Sequence, residues 1–255
     1  MHPSRYAFLA TLALAASCAS SDITSPTVDV NALVDQTGVA TYSAAALSAS
    51  VPGVTATVPV PSSSTSSCAY STTDQRFNCA PVTVNGLTIT RSYALLDASG
   101  HSLSISNLAA IASIHSITDM KGTLTGTGTT GTSITIDRHD DATLTDLLAA
   151  THVLNGTATQ KLDFAVTGLT FSSNETSTTA NLRLPQPTAT AHWPLGGIIT
   201  TDRTMTISGL PGATTSHEVL SFDGTSVMTL TLTSGSVTTT CKFDLSKPAV
   251  LPVCS

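Results

Sequence analysis

Alternation with a period of two runs through most of the chain after residue 67. Between 227 and 233, Val227, Thr229, Thr231 and Thr233 face one way, and Met228, Leu230 and Leu232 the other. That period sets one face of a strand against a core and leaves the other in water. Ser133 to Arg138 repeats it, with Ile134 and Ile136 opposed to Thr135. Leu87, Ile89 and Arg91 share a face, with Thr88, Thr90 and Ser92 behind them. A looser pattern from Ile111 to Thr127 puts Ile114, Met120 and Leu124 together. Further strands are expected over His152–Thr159, Leu162–Phe171, Thr179–Leu184, Gly197–Ile207, His217–Thr233 and Ser236–Leu245, with a break at Asp223-Gly224.

Turn residues punctuate these runs. Asn85-Gly86 between Val82-Thr83-Val84 and Leu87-Thr88-Ile89 is a strong hairpin signal. Asp97 to Gly100, Thr127 to Gly131, Ser172 to Glu175 and Ser234-Gly235 also read as turns. Long antiparallel strands with short turns predict an all-β domain: a long meander forming a curved sheet, a partly closed barrel or a sandwich.

Composition agrees. The chain has 46 Thr and 33 Ser but only two Glu and four Lys. Helix surfaces favour Glu and Lys, whereas threonine's branched Cβ suits a pleated, half-exposed strand.

The first residues follow a different pattern. Arg5 precedes an apolar run from Tyr6 to Ala16, and small residues follow at Ser17, Cys18 and Ala19. The run is shorter than the roughly 20 residues a membrane helix needs and fits an export signal over residues 1–17. Leu14-Ala15-Ala16-Ser17-Cys18 resembles the bacterial lipobox, with Ala15 where Leu is usual. The resemblance implies lipid attachment at Cys18 and, with Ala19 after it, an outer-membrane address. Cleavage after Ala19 would instead give a periplasmic or secreted protein. Residues 18–67 are expected to be a flexible tether and lead-in, and 68–255 the β-domain.

Setting Cys18 aside leaves four cysteines, Cys68, Cys79, Cys241 and Cys254. Three connectivities are open. Local pairing, Cys68 with Cys79 and Cys241 with Cys254, places each bridge at the open end of a hairpin. An oxidising compartment permits it.

With a net charge of −6 and no basic patch, the chain is not expected to bind nucleic acid. The expected partner is the membrane, through the lipid anchor; no cofactor is expected. Asp137, His139 and Asp141 fall on one strand face and are candidate metal ligands; His115 and Asp119 share a face in the same way. His217-Glu218 lacks the second His of a zinc-protease helix, and Gly100-His101-Ser102 lacks the closing Gly of a nucleophile elbow. Trp193 is expected to plug one end of the core. A short echo links Asp137-Arg138 to Asp202-Arg203.

Cys68-Ala69-Tyr70, Phe77-Asn78-Cys79-Ala80-Pro81-Val82, the run Asn85 to Tyr93, Leu95 to Gly100, Cys241 to Leu245 and Cys254 together resemble a recurrent pattern in uncharacterised bacterial envelope lipoproteins. That resemblance implies an envelope β-domain with two cysteine-paired hairpins and brings no activity with it. Three functional readings follow. The first is a non-catalytic, lipid-anchored envelope protein with a binding, adhesion or structural role. The others are a carrier of an apolar ligand in the curved sheet, and a metal-assisted hydrolase around Asp137 to Asp141.

Overall fold

The computed structural model describes residues 68–84, 86–104, 110–125, 133–166, 169–186, 193–246 and 253–255. The export segment, Cys18 and the lead-in lie outside the described residues.

Strands β1 (Cys68–Ser71), β2 (Arg76–Cys79), β3 (Val82–Val84) and β4 (Leu87–Leu96) come first, with a short β5 (Ser102–Leu103). The long strands follow: β6 (Ser113–Thr125), β7 (Ser133–Thr145), β8 (Thr151–Val166), β9 (Leu169–Pro185) and β10 (Gly196–Ile207). Then come β11 (Thr214–Phe222), β12 (Val227–Ser234), β13 (Val237–Asp244) and β14 (Val253–Cys254). All pair antiparallel in one sheet, ordered β1-β2-β4-β6-β7-β8-β9-β10-β11-β12-β13-β14, with β3 and β5 both on β4. The sheet is the expected meander and does not close into a barrel.

Strands β3 and β4 pair as the hairpin that the sequence predicts. Val84 pairs with Leu87, and Gly86 takes a φ of 87° that a side chain would resist. Both local cysteine pairs are joined, Cys68–Cys79 and Cys241–Cys254, each across directly opposed positions.

One face of the sheet, called inner here, holds the buried side chains in three bands. An upper apolar band runs from Phe77, Tyr93 and Leu95 through Ile114, Leu144, Leu154 and Leu182 to Ile199, Leu220 and Met228. A smaller lower band contains Leu87, Ile89, Met120 and Ile136. Between them lies a polar belt. Strand β7 crosses all three bands: Ile136 is below, Arg138 and Asp140 are in the belt, and Ala142 and Leu144 are above. Burying each Leu or Ile in these bands contributes about 1.5–3 kcal/mol.

Two bulges bend the long strands, at Leu154/Gly156 in the β8–β9 pairing and at Gly196/Ile198 in the β9–β10 pairing. The second depends on glycine. Gly197 has φ 105°, and a Cβ there would lie 2.4 Å from the Asn181 carbonyl oxygen.

The structure corrects three expectations. Ser172 to Glu175 is not a turn but lies inside β9, with Ser173 and Glu175 buried. The polar run resembled a turn because the partners of Ser172 and Glu175, Asp163 and Arg203, come from other strands. The stretch Leu162–Phe171 is likewise split between the end of β8 and the start of β9. Trp193 sits half-buried in the bend before β10, in neither core cluster, so the upper band is filled without it.

Candidate functional site

The belt is a connected chain of buried ionic groups across five strands. Arg138 donates twice to Asp140, at 2.6 and 2.8 Å, and once to Gln160 Oε1 at 3.1 Å. Gln160 donates to Glu175 at 3.5 Å, and Ser173 donates to the other Glu175 oxygen at 3.2 Å. Arg203 bridges Glu175 at 2.8 Å and Glu218 at 3.1 Å. Charges this deep persist only when paired. Both glutamates of the whole chain are spent here. Burial pushes the carboxyls of Asp140 and Glu218 above their ordinary range, with Arg138 and Arg203 respectively opposing it.

The opposite, outer face carries exposed hydroxyls and Asp–His pairs. His139 Nδ1 meets Asp119 Oδ1 at 2.8 Å, and His217 Nδ1 meets Asp202 Oδ1 at 2.7 Å. A carboxylate only accepts, so each Nδ1–H donates and Nε2 is the ring nitrogen left over. Both histidines are about half exposed, at 48% and 50%.

These two pairs belong to one constellation that occurs twice. Asp119 opposes His139, and behind them on the inner face Thr118 opposes Asp140. Asp202 opposes His217, and behind them Thr201 opposes Glu218. A threonine flanks each pair on either side: Thr90 and Thr159 in the first, Thr176 and Thr233 in the second. The two quartets lie end to end, because Thr159 opposes Thr176. Their histidines are four strands apart, about 19 Å along the sheet. One arginine serves the buried acid in each copy, from opposite strands. Arg138 is on the strand of the histidine; Arg203 is on the strand of the aspartate.

The echo in the sequence is therefore displaced by one strand. Asp137 sits on β7 opposite Lys121, while the counterpart of Asp202 is Asp119. The real repeat is Thr118-Asp119 with Thr201-Asp202, and His139-Asp140 with His217-Glu218. Its halves are 20 residues apart in one copy and 15 in the other, so sequence spacing hides what register aligns.

Asp137, His139 and Asp141 do share the outer face of β7, but each engages a different neighbour. Asp137 pairs with Lys121 at 3.2 Å, His139 with Asp119, and Asp141 with His115 Nε2 at 2.7 Å. Arg76 lies 3.2 Å from His115 Nδ1. An arginine only donates, so Nδ1 accepts and Nε2–H donates to Asp141. Among the described residues no group of three or more His, Cys, Asp or Glu converges on a metal position.

Two hollows bear on ligands. On the inner face, a space of about 10 Å³ between Arg138, Leu154, Gly156 and Ile199 has room for about one water. At the rim, an open groove of about 440 Å³ is lined by Phe164, Phe171 and Ile207, with Asp163 and Ser172 beside them. The Ser172 hydroxyl donates to Asp163 at 2.6 Å and, with Lys161, holds that carboxyl below its ordinary range.

Sequence reasoning did not bring Arg138, Asp140, Gln160, Glu175, Arg203 and Glu218 together as a belt. One signal was present: Ile134, Ile136, Arg138, Asp140, Ala142 and Leu144 keep one face, with opposite charges two residues apart at its centre. The chain matches no protein-family profile, no curated protein and no solved structure.

Proposed function

We propose that this is a non-catalytic protein of the cell envelope, tethered to the outer membrane by a lipid on Cys18, that binds through the outer face of its sheet. The export-like start and the two disulfides support the address. The observation that carries the binding role is the exposed Asp–His pair repeated at the same register while the inner face behind it is filled. Exposed ion pairs add only about 0–1 kcal/mol to stability, so stability gives little reason to keep two. Each quartet presents threonine hydroxyls, a carboxylate oxygen and an imidazole Nε2 at strand spacing. That array suits a hydroxyl-rich envelope polymer.

Co-sedimentation with purified peptidoglycan sacculi and with lipopolysaccharide vesicles tests the binding. The wild-type chain is expected to bind at least one of them, and His139→Ala with His217→Ala to weaken that binding tenfold or more without loss of fold. Equal binding by the double variant, or none by the wild type, overturns the reading. Mass spectrometry of the mature N-terminus tests the tether, and an unmodified start at Ser20 removes it.

The rim groove favours a second reading, a carrier of a small apolar ligand held between Phe164 and Phe171. A fatty-acid titration that Phe164→Ala abolishes would support it.

A further inference from the structure

The two edges of the open sheet are protected differently. At the β1–β2 edge, Asp74 and Arg76 place charges in the hairpin and Pro81 follows it. At the other edge, the β12–β13 hairpin has no charged residue, no His and no Pro from Thr225 to Cys241, and its charges, Lys242 and Asp244, stand only at the end of β13. An uncharged, threonine- and leucine-rich strand with a free edge is a template for pairing with another chain.

What pairs with β13 on that side, among the described residues, is β14 and Ser255. Thr240 N–H donates to the Ser255 carbonyl at 3.0 Å, and Ser255 N–H returns the bond to Thr240 at 2.9 Å. Backbone groups alternate in direction along an antiparallel strand, so Thr238 and Lys242 turn the same way as Thr240. Lys242 opposes Val253. A two-residue strand does not hold its place by backbone bonds alone. Cys254 lies directly opposite Cys241 and is bonded to it.

We propose that the Cys241–Cys254 bridge is an edge guard. It clamps β14 over β13 and so keeps a second copy of this chain from pairing there. A second copy is the partner that fits. About a two-fold axis through Thr240, two β13 edges meet antiparallel with Lys242 opposite Thr238 of the other copy, so no like charges are directly opposed, and the threonine rows of one sheet continue into the other.

The test is sedimentation velocity of the purified full chain over a concentration series. Cys241→Ser with Cys254→Ser is expected to raise the average mass at least twofold over wild type. Adding Thr240→Lys, which sets like charges together across the axis, is expected to reverse this. Cys68→Ser with Cys79→Ser, at the opposite edge, is expected to leave the mass unchanged. Far-UV circular dichroism reports the fold throughout. A folded Cys241/Cys254 variant with wild-type mass overturns the proposal. So does a mass increase that Thr240→Lys does not reverse, or an equal increase from the other pair. Loss of fold in the Cys241/Cys254 variant also overturns it, because the bridge is then a staple for the domain and not a cover for its edge.

Discussion

The β6–β7 and β10–β11 strand pairs present the same outer face and balance the charge behind it differently. In the first, Arg138 faces one buried carboxylate, Asp140, and one neutral amide, Gln160. In the second, Arg203 stands between two carboxylates, Glu175 and Glu218. The first site has one carboxyl for its arginine and the second has two. The Asp–His pair outside is indifferent to this. Its Nδ1–Oδ1 distance is the same in both, within 0.1 Å. The inner sites differ while the outer pairs match, which separates what holds the sheet together from what the sheet displays.

The largest effect should come from the crowded site. Arg203→Met leaves Glu175 and Glu218 buried without their shared cation, and is expected to cost about 3–5 kcal/mol in urea denaturation. Arg138→Met strands one carboxylate where the other strands two, and is expected to cost less, about 3 kcal/mol.

Glu218→Gln should be milder still, within about 1 kcal/mol at neutral pH, because Arg203 keeps Glu175. Its signature is in the pH dependence. Glu218 and Asp140 have carboxyls raised by burial, so the folded state binds their protons more tightly than the unfolded chain. Their contribution is fully present below the ordinary values of 4.5 and 3.8 and is lost as the pH rises through the raised ones. Acidification from neutral pH towards about pH 4 therefore favours folding through these two groups. Wild type should gain on Glu218→Gln as the pH falls, measured by denaturation at each pH. A gap that shrinks would reverse the assigned sign. The smallest effect belongs outside: Asp119→Asn and Asp202→Asn are each expected to change stability by less than about 1 kcal/mol.

The sequence shows its strands far better than its sites, for a physical reason. Alternation is local, so Val227 to Thr233 and Asn85-Gly86 declare themselves within a few residues. A buried ion pair is not local. Glu175 sits in a Ser/Asn/Thr run that looks like a turn until Arg203, 28 residues away, is brought beside it. Attention to charge density led to Asp137, His139 and Asp141, the exposed members of β7. It did not separate these from the interleaved Arg138 and Asp140, which point inward. The repeat was visible only as a displaced echo, because loops of unequal length separate its halves and only cross-strand register restores the match.

The division of labour between the faces rests most directly on one comparison: the urea stability of Arg203→Met against that of His139→Ala with His217→Ala. The single belt substitution should cost at least about 3 kcal/mol, and the two outer substitutions together less than about 2. If removing the two outer histidines destabilises the protein as much as removing Arg203, the outer pairs are part of what holds the sheet, and the account of a filled inner face behind a displayed outer one is wrong.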